Sequence, residues 1–154
     1  MPIQLIHSLL LDETSRKASG SPRLRMNYNI HTRLDDPVNR MLNALEPGTY
    51  LRPHRHLSPP KTESYVVLLG ELDVLIFDDA GNLLQRQPLN PEMGNYGIDI
   101  PAGVWHCMIV KQPKTVIYEV KEGPFSPIIT DDFAPWSPNP DDEEGVKAFL
   151  RQYS

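Results

Sequence analysis

The chain has 154 residues, of which 15 are basic and 20 acidic, so its net charge at pH 7 is −5. This length predicts a single domain spanning 1–154, and the acidic balance without a basic run argues against nucleic acid or an anionic membrane as partner. Sixteen prolines leave little room for long helices, so we expect short strands and turns in the middle of the chain.

The N-terminal segment carries apolar residues at helical spacing. Leu5, Ile6, Leu9 and Leu10 predict one or two short helices over 3–18, which the sequence Gly20-Ser21-Pro22 ends. We assign residues 1–23 to an N-terminal helical extension.

The middle of the chain changes to short runs rich in Val, Ile, Tyr, Leu and Thr. Pro, Gly, Asn or Asp bounds each run, which is typical of an all-β sandwich or barrel. The predicted strands are 40–45, 49–54, 64–69, 71–78, 83–88, 97–100, 106–111 and 115–121. We assign 24–127 to this barrel.

The last part of the chain, 128–154, is predicted to be an irregular strap followed by a helix. Several prolines mark the strap, in which we expect Trp136 to act as an apolar clasp. Acidic residues at 141–144 suit a helix start. Apolar residues then recur at i, i+3, i+4 and i+7, from Val146 to Tyr153. These patterns predict an amphipathic helix of about ten residues on the outside of the barrel.

Three histidines and a glutamate have the spacing of a metal site. His54 and His56 are two residues apart, so in a strand their imidazoles point to one face. Glu63 opens the next apolar strand, and the turn at 101–103 delivers His106 onto a different strand. Three imidazoles and one carboxylate suit Fe, Zn, Mn, Ni, Co or Cu better than Mg or Ca. We therefore expect one divalent transition metal per chain.

Five sequence blocks resemble the WbuC family of cupin-fold metalloproteins. The blocks are DPVNRMLNALEPGTY at 36–50, PHRH at 53–56, IPAGVWH at 100–106, EVKEGP at 119–124 and FAPW at 133–136. The resemblance implies a double-stranded β-helix, or jelly-roll, barrel with a metal inside it. It also implies an association with bacterial surface-polysaccharide (O-antigen) gene clusters, and a homodimer, since small cupins commonly associate through barrel strands.

The sequence departs from the general cupin pattern at two positions. Six residues separate His56 from Glu63 where three or four are usual, and Val110 stands where an asparagine is often found. Glu63 nevertheless lies seven residues before Gly70, the usual interval. We therefore expect a lengthened loop and an unchanged strand register.

Strand parity also suggests candidate catalytic residues. Lys61 lies two residues before Glu63, and Tyr50 and Arg52 share parity with His54, so all three are expected to face the barrel interior. Lys61 or Tyr50 would move a proton, and Arg52 would bind an anionic partner such as Glu119 or a substrate group.

A second alternating set, Asn27, Asn29 and His31, is expected to cover the barrel mouth or a dimer partner, with His31 in a structural hydrogen bond.

The preferred function is a metal-dependent enzyme acting on a small polar molecule. A sugar or sugar-nucleotide intermediate fits the resemblance, with isomerisation or epimerisation as the reaction. With Fe(II) and open coordination positions, the enzyme would instead be an O₂-dependent dioxygenase. The remaining alternative is a metal-containing module that binds or senses a small molecule without turnover.

Cysteine use and the N-terminal sequence bear on location. Cys107 is the single cysteine, so it forms no internal disulfide, and we expect it to be a small core residue. The first residues lack the basic region and cleavage site of a secretory signal, and no apolar stretch approaches the ~18 residues of a membrane span. The sequence predicts a cytoplasmic protein.

Overall fold

Residues 3–154, which a computed structural model describes, form two antiparallel β-sheets with an α-helix near each end. The elements in chain order are α1 (Ser8–Ser19), β1 (Arg25–Asn29), β2 (Val38–Leu45), β3 (Glu63–Leu69), β4 (Leu72–Phe77), β5 (Leu83–Leu89), β6 (Gly97–Ile100), β7 (Trp105–Val110), β8 (Thr115–Glu122) and α2 (Glu143–Tyr153). The predicted all-β fold with terminal helices is confirmed.

The two sheets differ in size. One has five strands in the order β1-β2-β8-β3-β6, and the other has three in the order β5-β4-β7. Their facing sides share an apolar core that includes Tyr65 and Val67 from the larger sheet and Val74 and Met108 from the smaller one. The candidate site lies between these inward faces.

Alternation along each strand decides which side chains enter this space. In β8, Ile117 belongs to the core between the sheets, whereas Val116 packs on the outer face beneath α1. Glu119 and Lys121 have the parity of Ile117 and therefore also point inward. A strand that is apolar near one end thus carries two charges into the interior.

The N-terminal helix covers the outer face of the five-stranded sheet. Leu11 and Ala18 of α1 pack against Leu42 and Ala44 of β2. The helix begins at Ser8 rather than at residue 3. Residues 3–7 lie outside it, and although Ile6 packs against the same apolar cluster, Ile3 is 99% exposed, so the apolar spacing there is not buried as a continuous helical face.

The C-terminal helix covers the outer face of the three-stranded sheet. Phe149, Leu150 and Tyr153 join the apolar cluster on that face, and the Asp142 carboxylate accepts the Gly145 N–H at 3.0 Å to cap α2. Trp136 packs on Phe77 with ring centroids 4.9 Å apart. The predicted helix and apolar clasp are both confirmed.

Two strand predictions need correction. The segment 49–54 is not a strand, since within it only His54 forms an isolated bridge. Conversely, Arg25–Asn29 forms strand β1, which was not among the predicted strands. Its cavity-facing positions carry the polar residues Arg25, Asn27 and Asn29, whereas the apolar Met26 packs on the outer face, so the pattern is the reverse of a strand with an apolar inward face. No helix in the described residues is long and apolar enough to cross a membrane.

Candidate metal centre and cavity

Backbone pairing brings together His54 and His106, two of the four candidate ligands. The His54 N–H donates to the His106 carbonyl at 3.0 Å, and the His106 N–H donates to the His54 carbonyl at 2.9 Å. This bridge places His54 beside the start of β7 without a regular strand before it. The two imidazole centroids are 4.5 Å apart.

Glu63 completes the cluster from the opposite sheet. It is the first residue of β3 and only 2% exposed. Its Oε1 lies 2.6 Å from Nε2 of His106 and 3.3 Å from Nε2 of His56. The candidate ligand atoms of His54, His56, Glu63 and His106 all lie within 4.8 Å of one another. The longer loop therefore leaves Glu63 beside the histidines.

The lengthened loop itself is held by a buried carboxylate. Oδ2 of Asp132 accepts the backbone N–H groups of Leu57, at 3.2 Å, and Ser58, at 2.9 Å. Its Oδ1 lies 3.4 Å from Nε of Arg55. These contacts fix the chain on both sides of His56.

Hydrogen bonds to the ring Nδ1 atoms orient two of the imidazoles. Nδ1 of His54 lies 2.9 Å from the Arg52 carbonyl, and Nδ1 of His106 lies 2.9 Å from the Val104 carbonyl. Because a carbonyl only accepts, we assign the proton of each neutral ring to Nδ1. Each Nε2 then carries a lone pair, as metal-binding imidazoles require.

The cluster leaves polar atoms without partners. Among residues 3–154, Nε2 of His56 and Oε1 of Glu63 are buried and find no hydrogen-bond partner, even though other ligand atoms lie close by. Lone pairs and a carboxylate oxygen crowded together repel one another unless a cation lies between them. This donor set of three nitrogens and one oxygen fits a divalent transition metal.

The protonation states suit the same purpose. Burial lowers the pKa of His54 to about 3, and His106 adds to the effect, so His54 is neutral near pH 7. Burial raises the pKa of Glu63, but its contacts with His106 and His56 and the charge of Lys121 outweigh burial and hold it well below the usual range. A neutral imidazole and an ionised carboxylate are the forms that bind metals.

The cluster opens onto a cavity of about 530 Å³ between the sheets. His54, Glu63 and His106 line it, together with a polar group that consists of Asn43, Glu119 and Lys121. Nζ of Lys121 lies 3.0 Å from Oε1 of Glu119 and 3.6 Å from Oε2 of Glu63. The Asn43 amide donates to Oε2 of Glu119 at 2.6 Å. One lysine thus links the ligand carboxylate to a second buried carboxylate.

The second carboxylate has an altered pKa. Burial raises the pKa of Glu119, and Lys121 offsets this only in part. Burial alone would lower the pKa of Lys121, but the charges of Glu119 and Glu63 raise it. Lys121 is therefore a permanent cation at neutral pH.

Lys61 does not reach the cavity. Its ammonium donates to the Pro124 carbonyl, and it is not among the residues that line the cavity. The expectation rested on strand parity, but β3 begins at Glu63, so the alternation does not extend back to residue 61. The lysine beside Glu63 is Lys121, which pairs with it across β3 and β8.

Tyr50 and Arg52 also point elsewhere, because the segment before His54 is not a strand. The Tyr50 hydroxyl donates to the Pro138 carbonyl at 2.8 Å. Arg52 donates to Ser137 Oγ at 3.0 Å and to Asn139 Oδ1 at 2.6 Å. Both residues hold the C-terminal strap, and the suggested pairing of Arg52 with Glu119 is wrong.

The residues at the predicted barrel mouth do reach the cavity. Asn27, Asn29 and His31 all line it. Nδ1 of His31 lies 2.9 Å from the Arg40 carbonyl and 3.1 Å from the Arg40 nitrogen, which confirms a structural hydrogen bond. Cys107 belongs to the apolar cluster beneath α2, and burial raises the pKa of its thiol, so it is an unreactive core residue.

Lys121 and Asn43 were missed as site residues. The signal was present for Lys121, because Ile117, Glu119 and Lys121 alternate along one predicted strand. Asn43 also alternates with apolar neighbours, but only the strand order shows that it lies next to Glu119.

Solved structures with the same fold are cupins. A cupin 2 domain-containing protein from Halorhodospira halophila is 16% identical with a TM-score of 0.56, over 84% of this chain and 82% of that one. KdgF from Halomonas sp. is 14% identical with a TM-score of 0.53, over 69% and 84%. An oxalate oxidase in complex with the substrate analogue glycolate is 21% identical with a TM-score of 0.52, over 88% and 77%. The chain therefore has the cupin jelly-roll fold.

A family model gives the narrower assignment. The family described as "Domain of unknown function (DUF6016)" matches residues 6–89, which is more than half of the chain. The protein belongs to this family. A search of curated proteins finds no match.

Proposed function

We propose that the protein is a metal-dependent enzyme that isomerises or epimerises a small polar molecule, a sugar or sugar-nucleotide intermediate. The observation that carries this proposal is the shared cavity. One volume of about 530 Å³ adjoins both the His/Glu cluster and a second buried carboxylate, Glu119. A Lewis acid and a proton carrier that face one cavity are the two groups that such a reaction needs.

His54, His56, Glu63 and His106 would hold one divalent transition metal. When bound, it would supply Lewis acidity that polarises a substrate carbonyl or hydroxyl. Glu63 contributes one negative charge to the set, and Lys121, which contacts it, contributes a positive charge nearby. The cavity is therefore suited to a polar or anionic substrate.

Glu119 is the group best placed to move the proton. It faces the cavity, and Lys121 and Asn43 hold its two oxygens in fixed positions. A carboxylate fixed in this way accepts a proton from a carbon next to the polarised carbonyl and returns it to another atom of the substrate. Glu119 takes the role that parity had suggested for Lys61 or Tyr50.

The wall of the cavity also suits a substrate with several hydroxyl groups. Asn27 pairs with Asn43 across β1 and β2, and Asn29 follows on the same inward face. Each amide both donates and accepts hydrogen bonds, as a hydroxyl does. These side chains would hold a sugar ring against the five-stranded sheet.

The WbuC resemblance supports a place for this reaction in bacterial surface-polysaccharide biosynthesis. The blocks that carry the resemblance include both histidine motifs and the segment with Glu119 and Lys121. A cytoplasmic location and a homodimer belong to the same proposal.

Elemental analysis of protein purified without added metal tests the ligand set. We expect about one transition metal per chain, and none after substitution of His54 and His106 by Ala. Metal retained by that double variant would overturn the assignment.

Assays with a panel of nucleotide-linked sugars, with and without O₂, test the reaction. We expect turnover that does not need O₂, a large loss of rate in Glu119→Gln with unchanged metal content, and no loss in the exposed control Glu144→Gln. Saturable binding without product would identify a binding module instead, and a strict need for O₂ would identify a dioxygenase.

A further inference from the structure

Two arginines lie at the end of the cavity away from the metal cluster. Arg23 and Arg25 line the same cavity as Glu63. Arg25 on β1 pairs with Leu45 on β2, and Leu45 pairs with Thr115 on β8. Glu63 on β3 pairs with Lys121, which is also on β8. Lys121 and Thr115 are six residues apart on β8, which corresponds to about 20 Å along the strands. The arginines and the metal cluster therefore mark two distant parts of one cavity.

Neither arginine has an acidic partner within the described residues 3–154. Nη1 of Arg25 donates to the Tyr50 carbonyl at 2.8 Å and to Thr49 Oγ1 at 3.3 Å, and both of these acceptors are uncharged. The Arg23 guanidinium forms no hydrogen bond or ion pair with that part of the chain. The exposed Arg23 and the half-buried Arg25 thus bring two permanent positive charges to the cavity wall with no acidic partner among those residues.

The electrostatics of Arg25 agree with this geometry. Burial lowers the pKa of Arg25, and the charge of Arg23 lowers it further. Like charges kept this close repel each other, and an anion between them would remove the repulsion.

We propose that Arg23 and Arg25 form a subsite for an anionic group, a phosphate or a carboxylate, of the molecule that occupies the cavity. Guanidinium forks bind such groups through two parallel charge-assisted hydrogen bonds. Asn27 and Asn29 follow Arg25 on the inward face of β1, so the uncharged polar part of the ligand lies beside them. The ligand is therefore a polyhydroxy compound with a negative charge at one end. Its role as substrate rests on the proposed function, whereas anion binding does not require the metal.

Isothermal titration calorimetry at low salt tests the subsite with four probes: inorganic phosphate, D-glucose 1-phosphate, D-glucuronate and neutral D-glucose. We expect the phosphorylated or the carboxylated sugar to bind at least about tenfold more tightly than glucose, as a charge-assisted hydrogen bond allows. The tighter of the two identifies the group, and inorganic phosphate reports on the subsite alone.

Three variants assign the effect to the arginine pair. Arg23→Met and Arg25→Met should each weaken anion binding by roughly tenfold and leave glucose unchanged. Arg151→Met removes the same charge from an exposed position on α2 and should change nothing. Because the Arg23 guanidinium forms no hydrogen bond or ion pair within residues 3–154, its variant tests the subsite even if Arg25→Met is less stable.

Anion binding at the arginine subsite does not depend on whether the proposed metal site is correct. In the variant with both His54 and His106 replaced by Ala, the preference for anions over glucose should persist, so a failed metal site leaves the subsite intact. Equal affinities for glucose and the anions, no measurable binding of any probe, or equal losses in Arg23→Met and Arg151→Met would each overturn the subsite.

Discussion

Glu63 is a buried carboxylate surrounded by polar side chains of the candidate site. It contacts Nε2 of two histidines and lies 3.6 Å from the Lys121 ammonium. Burial of a carboxylate costs several kcal/mol unless charges or hydrogen bonds offset it. The Lys121 ammonium offsets that cost only in part, and a cation at the cluster would supply the rest.

Replacing Glu63 by Gln tests its role as a ligand. The amide keeps the size of the side chain but loses the negative charge, so we expect metal affinity to fall by at least about tenfold. The control is Glu122→Gln. Glu122 accepts the Thr62 N–H at 2.7 Å, and the amide oxygen of the substituted side chain can still accept it. Equilibrium metal titration of both variants gives the comparison, and equal affinities would contradict the assignment.

Tyr50 contributes to stability rather than to chemistry. Removal of its hydroxyl in Tyr50→Phe deletes the bond to the Pro138 carbonyl, at a cost of about 1 kcal/mol of unfolding free energy. Metal content and turnover should not change. Urea denaturation together with elemental analysis checks both expectations, and a lost activity with unchanged stability would return Tyr50 to the catalytic group.

The same hydroxyl predicts a pH dependence. Burial raises the pKa of Tyr50 from 10.0 to about 12. Since the fold favours the protonated phenol, its contribution is complete below pH 10 and is lost as the pH rises towards 12. Between these values the wild type should lose stability faster than Tyr50→Phe does, as denaturation at several pH values would show. Parallel losses would mean that Tyr50 titrates normally.

At the scale of elements, the strap that follows β8 depends on one glycine in the turn between β4 and β5. Gly81 has φ +87, and a Cβ atom there would lie 2.7 Å from Cδ2 of Trp136. Gly81→Ala should therefore lower the unfolding free energy by about 2–4 kcal/mol through backbone strain and displacement of the indole. Gly94→Ala is a matched control, because Gly94 has φ +82, a Cβ there would meet no atom of the described residues 3–154 within 4 Å, and the change should cost only about 1 kcal/mol. Equal losses of unfolding free energy in the two variants, measured by denaturation, would show that contact with Trp136 does not add to the cost at Gly81.

The short 3-10 helix Thr130–Asp132 controls a second element, the loop after His56. In Asp132→Ala the N–H groups of Leu57 and Ser58 lose their acceptor. We expect a loss of about 1–3 kcal/mol in stability, and metal affinity about tenfold weaker because His56 is less well oriented. The neighbouring exposed Asp131→Ala should affect neither quantity. An unchanged metal affinity in Asp132→Ala would show that the loop does not position His56.

For the whole molecule, the sequence predicts the barrel and the four clustered residues well, because both depend on local pattern. Alternation identifies the strands from β2 onward, and the two histidine motifs have fixed internal spacing. Strand β1 also alternates, but its apolar Met26 and the following Ile30 pack on the outer face and its polar residues face the cavity, so its pairing with β2 is visible only in the structure.

The remaining site residues depend on long-range pairing that no local pattern encodes. Strand parity failed for Tyr50, Arg52 and Lys61 because each lies outside a regular strand, where side chains need not alternate. Alternation along β8 turns Glu119 and Lys121 inward, but only the pairing of β8 with β3 shows that Lys121 lies beside Glu63. Partners brought together by strand order are hard to infer from one sequence.

The metal should also stabilise the entire fold, because its candidate ligands come from both sheets. Glu63 begins β3 in the five-stranded sheet, whereas His106 lies in β7 of the three-stranded sheet. An ion that binds only the folded chain adds about 2.7 kcal/mol at a concentration 100 times its dissociation constant. For a chain of this length that energy raises the unfolding temperature by roughly 5–10 °C. Calorimetry before and after treatment with a chelator should show this difference in the wild type and none in the variant with both His54 and His106 replaced by Ala. A metal-loaded wild type whose unfolding temperature does not respond to the chelator would mean that the bound ion does not join the sheets.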